Sequence, residues 1–526
     1  MQKLRILRIN MRVIIVFFMY IGVVWGKNTL IVAVSENIGA LNPQGYQGNA
    51  MFAQNAVYEG LVRVDKRGKI VPSLATRWEI STDALQYDFT LREGVRFSNG
   101  EEFNADAVVK NFESVLKNRA RHSWSGLAVA LESAQKLAPH KVRLILKKPY
   151  SPTLDELAVA RPFRFLAPSA MPKDLDLIKH NPQPIGTGAY MLAKSVYGVS
   201  DTLVKNPHYW DKDAYNGIYY DEVILKVIYD PSSKIAALKS GQIDMIYGND
   251  QIPLEIFKSM QRGAQFHTYL SPPIYTTNLV INSASPAFKL GNTELERTLR
   301  KALGYGIDKQ RLIKAVYSGL QDTTDCMFQP SKACEEAHSI SASEQEEALA
   351  FLRKHFADSR QRGIEILYIG DNPAQKMMAE IIQSDLKAFG VKVHISASEY
   401  SIYMNRLLNG AFDIAFRDTW GAPYDPLTIL HSMLIPSHID YAAQQGLPTK
   451  PLIDEEIRKL IALNPHIKAF KDTLERIIFM LEDSGVYMPL SNQRNKAIAH
   501  KKIKGIDMGV SSYEVPFWEF YEDSKK

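Results

Sequence analysis

Cysteine is nearly absent. The chain has two among 526 residues, Cys326 and Cys334, in a polar stretch. No C-x-x-C pair exists, which argues against a paired-cysteine zinc site. A local disulfide in an oxidising compartment and a pair of free thiols both remain open. HExxH and GxSxG are also missing. The SxxK match at Ser114 to Lys117 lies on a helical pattern without partners, and the "GTG" at Gly186 to Gly188 is too short for a phosphate loop. An enzyme is not expected. Long apolar runs are lacking too, apart from Val13 to Trp25. That run falls short of the roughly 20 residues that cross a bilayer comfortably.

Residues 1–26 also lack acidic side chains. Lys3, Arg5, Arg8 and Arg12 precede the apolar run, and Val24 and Gly26 follow as small residues. This pattern predicts a cleaved secretory signal over 1–26, with an uncleaved anchor as the alternative. No cysteine near the junction means no lipid anchor is expected there. Removing the four signal cations takes the formal net charge from +6 to +2. A nearly neutral mature chain gives no reason to expect nucleic-acid binding.

What is present is an ordinary globular composition, 46% hydrophobic and 23% charged, on a chain too long for one core. Strand and helix patterns alternate. Leu30 to Val34 reads as a strand, and Tyr87, Phe89 and Leu91 alternate as in a half-buried one. Asn104 or Asp106 then begins a helix carrying Val108, Phe112 and Val115. Tyr220 to Asp230 is a β-branched strand, followed by helix, Gly-containing turn and strand through Gly248. Helices are expected at Glu294–Gly304, Ala374–Phe389 and Leu452–Leu463, and a surface excursion over Ser331–Glu347. The alternation predicts a mixed α/β architecture, and no short repeat period suggests a solenoid.

Several segments together carry a resemblance. Pro72 to Phe112, "PIGTGAY" (Pro184 to Tyr190), "NPHYWDKD" (Asn206 to Asp213), "GQIDMIYG" (Gly241 to Gly248) and "LRKALGYGIDKQRLI" (Leu299 to Ile313) stand in order. They resemble the landmarks of the peptide/nickel class (family 5) of extracytoplasmic solute-binding proteins, over nearly the whole mature chain. "LNPQGYQGNAMFAQ", "NRARHSW", "RPFRFLAPS" and "TWGAPYDP…IPSHIDY" resemble its nickel-binding members most closely. The resemblance implies a two-lobed periplasmic-binding-protein fold, type II-like and in the large cluster C form, with mixed sheets and a hinge. Lobe I, with an inserted subdomain, would span 27–270 plus 491–526, and lobe II 271–490, with crossings near Ser271 and Leu490. The implied function is capture of Ni2+ as a small chelate with L-histidine or a polycarboxylate, in the periplasm. A monomer would then deliver it to the transmembrane subunits of an ABC permease. Binding of di- or oligopeptides, or of haem, is the alternative within the class. The segment Ser331 to Gly363 departs from the class by being shorter and more polar.

On its residues alone, His438 is one loop histidine among twelve, more often solvated than ligating. The resemblance assigns it as the metal ligand, and neutral imidazole suits nickel. His431 and His122 are weaker candidates, since Pro436 interrupts any helix that would align His431 with His438. One imidazole cannot complete a nickel shell, so a bound chelator must supply the other donors. Arg121 and Arg161 would otherwise read as salt-bridge residues. The resemblance makes them carboxylate anchors, a task suited to the planar guanidinium fork. Trp124, Trp420 and Tyr424 would wall the chelate, and Tyr46 and Met51 would complete the pocket. Core packing is the competing reading for all five, and an even one for Tyr46 and Met51. Peptide-binding members carry an Asp for the peptide ammonium where this chain has Ala422, Pro423 and Tyr424, which argues against peptides.

Overall fold

The computed structural model describes residues 27–45, 51–212, 217–248, 252–263, 265–328, 341–357, 362–465, 467–511 and 514–523. The expected signal segment, Tyr46 and Cys334 lie outside these residues. Among the described residues no helix is long and apolar enough to cross a membrane.

Two large mixed sheets organise the chain. The first has seven strands in the spatial order 266–270, 496–500, 245–247, 29–34, 222–227, 200–205 and 190–196. Its centre is parallel, with Thr29 against Glu222 and Val32 against Met245, while Lys496–His500 runs antiparallel. The second has six strands, in the order 322–323, 487–493, 275–281, 414–418, 364–369 and 393–398. The chain passes from the first sheet to the second between Leu270 and Tyr275, and returns between Gln493 and Lys496. Leu490, where the return was expected, lies inside a strand that stays paired with Tyr275–Ile281 until Gln493 meets Tyr275. A four-stranded antiparallel sheet (75–80, 86–91, 141–146 and 131–138) forms a separate layer.

Local chemistry explains the elements. Gln86–Leu91 buries every second residue, as its alternation predicts. Asn104 accepts hydrogen bonds from the Asp106 and Ala107 N–H groups and starts the helix Ala105–Lys117. Helices at Thr293–Tyr305, Pro373–Lys387 and Lys450–Ala462 match the expected ones to within two residues. The surface excursion expected over Ser331–Glu347 needs correction at its end. Ser341 and Glu344 form a reciprocal capping box, and a helix runs Ala342–Phe356. Cys326 is disulfide-bonded, and no free cysteine is found among the described residues.

Separate buried clusters fill each large sheet against its helices. A third is shared between the two sides of the molecule. It runs from Phe89 and Phe112 beside the four-stranded sheet to Tyr424, Ile457 and Ile478. Trp124 and Trp420 pack on its edge. The Ser151 N–H also donates to the Ile461 carbonyl at 2.7 Å. The two sides are therefore shut against each other in this structure.

Candidate functional site

The strand Ile414–Asp418 delivers the chain into the turn that carries Trp420 and Tyr424. Gly421 makes this turn possible: its φ is +76°, and a Cβ there would lie 2.3 Å from the Ile274 carbonyl oxygen. Asp425 accepts the Trp420 N–H at 3.2 Å, and burial pushes its carboxyl up to about 6. The Trp420 ring meets Tyr424 at 5.9 Å, Trp124 at 6.5 Å and His438 at 6.2 Å, and Trp124 lies 6.2 Å from Tyr424. Four of the expected site residues thus form one aromatic cluster, although Trp124 is far from the others in sequence.

His438 sits at the N-cap position of the helix Ile439–Gln444 but makes no side-chain cap bond, so its imidazole is not spent on the helix. Two residues on, Asp440 is 1% exposed and receives Arg417 at 3.2 Å and the Tyr487 hydroxyl at 3.3 Å. Arg417 also lies 5.9 Å from the Trp420 ring centroid. Burial holds the His438 pKa below the ordinary imidazole value, Asp440 opposes this and Arg417 adds to it. The ring is therefore neutral at neutral pH, the form that donates to a metal.

The arginines gather around His122. This imidazole is fully buried, 3.4 Å from the Gln44 Oε1. Its pKa is lowered to about 4, by burial first and then by the charges of Arg161 and Arg121. Arg161 donates to the Gly45 carbonyl at 3.2 Å, and Arg121 projects from the short 3-10 turn Arg119–His122. Two guanidinium groups thus act on one buried imidazole, which precedes Trp124 by two residues in the chain. Met51 is buried at the start of the helix Met51–Val57.

Other motifs resolve into structure. Arg164 donates to the Ala158 carbonyl at 2.8 Å and to the Asn55 side-chain oxygen at 3.3 Å, and so serves structure. Ser114 of the SxxK match is fully buried and donates to the Leu175 carbonyl. A Cβ on Gly186 would lie 2.0 Å from the Val57 carbonyl oxygen, so that glycine serves close packing. His431 packs its ring against Tyr150 at 5.5 Å, and its pKa falls to about 4 through burial, then Lys148 and His438. The helix carrying His431 ends at Ser432, before Pro436, yet His438 still contributes to lowering the His431 pKa. Sequence reasoning missed Arg417 and Tyr150. Arg417, three residues before Trp420, offered only proximity as a signal, and Tyr150 offered none. Among the described residues, no group of three or more His, Cys, Asp or Glu could hold a metal ion.

Residues 69–441 match the family described as Bacterial extracellular solute-binding proteins, family 5 Middle. The nickel-binding periplasmic protein of Escherichia coli (strain K12) is 38% identical over 496 residues, 91% of this chain and 92% of that protein. Di/tripeptide-binding protein 2 of Pseudomonas aeruginosa (strain UCBPP-PA14) is 26% identical over 525 residues, 92% of this chain and 93% of that one. Among solved structures, NikA from Brucella suis in complex with Fe(III)-EDTA is similar at a TM-score of 0.87 and 36% identity. That match covers 94% of this chain and all of that one.

Proposed function

We propose, for a chain that belongs to the bacterial extracellular solute-binding proteins of family 5, that it captures nickel as a small chelate between two lobes. Lobe I comprises 27–270 plus 491–526, and lobe II 271–490. Because the second sheet stays paired to Gln493, we take the return to lobe I just after Gln493, so that Ser491 to Gln493 go with lobe II instead. The observation that supports the reading is how the expected residues group. A neutral imidazole, His438, stands on an aromatic wall of Trp124, Trp420 and Tyr424. Arg121 and Arg161 both act on His122, and on this reading they make the pocket's other end.

His438 gives nickel one donor, and an L-histidine or polycarboxylate wrapper supplies the rest. The guanidinium groups hold the wrapper's carboxylates, and the rings cover its flat faces while excluding water. Met51 closes the pocket from the N-terminal side, and Tyr46, outside the described residues, is the other candidate from that segment. Two relatives support this cargo: one is a nickel-binding periplasmic protein, and the other holds Fe(III)-EDTA, a metal wrapped in a polycarboxylate. Cargo favours the shut form only through contacts that the open form lacks. Trp124 against Trp420 and Tyr424 is such a contact, because its partners come from the second sheet's side. The protein acts in the periplasm after removal of residues 1–26. As a monomer it presents its cargo to the transmembrane subunits of an ABC permease.

Native mass spectrometry with metal analysis, on protein isolated from its own periplasm, tests this. Nickel together with a small organic acid or histidine is expected. A co-purifying short peptide, with no metal, would replace the reading with that of the di/tripeptide-binding relative.

A further inference from the structure

Glu156 stands behind the pocket wall. It is fully buried on the short helix Thr153–Ala158. A buried carboxylate is costly unless donors surround it, and this one has four. Oε2 receives the Ser125 hydroxyl at 2.5 Å and the Leu127 N–H at 2.9 Å. Oε1 receives the Gly126 N–H at 3.2 Å and the Tyr150 hydroxyl at 2.5 Å. Three of these donors directly follow Trp124 in the chain. Ser125 also caps the helix Gly126–Ala130 through the Ala128 N–H, 3.1 Å from its hydroxyl oxygen. The fourth donor, Tyr150, turns its ring to His431 across the junction of the two sides, beside the Ser151 to Ile461 hydrogen bond.

We propose that Glu156 is a positioning residue for cargo capture, its one carboxylate holding both the Trp124 wall and the Tyr150 ring that meets His431 on the opposite lobe. This rests on the reading of the Trp124, Trp420 and His438 pocket as the chelate site. Glu156 touches no cargo. It sets where Trp124 stands when the lobes shut, and it fixes the ring against which the other lobe closes.

The isosteric change Glu156→Gln separates this role from space filling. Each carboxylate oxygen accepts two donors, so whichever oxygen becomes an amide nitrogen confronts two N–H or O–H groups. Simple packing would tolerate that exchange in volume, whereas a clamp would not. Ser125→Ala and Tyr150→Phe each remove one donor and keep the surrounding bulk, so they report even where Glu156→Gln folds poorly.

Two readouts keep this inference apart from the cargo assignment. Hydrogen exchange over residues 121–130 of the cargo-free protein should quicken about tenfold or more in Glu156→Gln, where one of the Gly126 and Leu127 amides loses its acceptor, and measurably in Ser125→Ala, where the Ala128 amide loses the Ser125 hydroxyl oxygen. Unchanged exchange in both variants would overturn the inference, whatever the cargo is. Titration with nickel and excess L-histidine should show binding about tenfold weaker in Glu156→Gln and two- to fivefold weaker in Ser125→Ala and Tyr150→Phe. Wild-type binding with all three variants within the error of wild type would also overturn it. A wild type that binds no nickel–histidine sinks the cargo reading instead, and hydrogen exchange alone then decides the role of Glu156.

Discussion

Replacing Trp124 by alanine tests what its ring contributes to lobe closure, together with its share of the chelate wall. Both ring partners of Trp124, Trp420 at 6.5 Å and Tyr424 at 6.2 Å, follow a strand of the six-stranded sheet, while Trp124 belongs to the side of the four-stranded one. These contacts therefore exist only when the two sides meet. Each aromatic pair contributes about 0.5–1.5 kcal/mol beyond area burial, so the two together contribute about 1–3 kcal/mol. At about 1.4 kcal/mol per tenfold, Trp124→Ala should weaken chelate binding by about 5- to 150-fold. Trp124→Phe keeps a ring and should recover most of that. Isothermal titration with nickel and excess L-histidine measures both, and thermal unfolding of the cargo-free protein serves as the control. Trp124→Ala binding within twofold of wild type would refute the idea that these rings report closure. So would equal losses in the alanine and phenylalanine variants.

His438→Ala should weaken chelate binding at least about tenfold through loss of one inner donor, and unchanged affinity in the same titration would remove His438 from the site. The wild-type affinity should hold through neutral pH and decline only at a pH lower than the ordinary imidazole value of about 6.5, as protons compete with metal for an imidazole whose pKa lies under that value. The His438→Ala variant should lose that part of the pH dependence. Arg161→Ala should bind more weakly than Arg161→Lys in a parallel titration, since lysine keeps the charge but not the fork; equal losses would contradict a bidentate grip. His122 and His431 each have a folded pKa of about 4, below the unfolded value near 6.5. The unfolded chain thus binds more protons between these values, and stability falls as pH drops from 6.5 toward 4. Each histidine contributes up to about 3 kcal/mol to that loss. Denaturant midpoints should converge between pH 7 and pH 5 for His122→Gln relative to wild type, and parallel curves would count against this.

The fold was legible where periodicity and caps agree. Asn104 announces its helix in the residues themselves, and the alternation of Tyr87, Phe89 and Leu91 reappears as buried positions. The helix Ala342–Phe356 is hidden in the sequence because its polar surface outweighs its pattern, even though Ser341-Ala-Ser-Glu344 spells a capping box. The return crossing lies beyond its expected place because Ser491 to Gln493 read no differently from the hinge that follows; only pairing with Tyr275–Thr277 extends that strand. The candidate site came from family resemblance rather than from local physics. Nothing near Trp124 in the chain indicates Trp420, and nothing near Tyr150 indicates His431. Such contacts are set by how distant segments pack, and periodicity carries no record of them. Arg417 and Glu156 were invisible for the same reason, since each acts on the pocket through a neighbour.

Calorimetry of the mature protein with nickel alone, L-histidine alone and the two together is the most direct test of the central claim. The account predicts strong binding only for the mixture, because His438 offers one donor and the arginines need a carboxylate to hold. Strong uptake of short peptides, with no response to nickel in any wrapper, would contradict it.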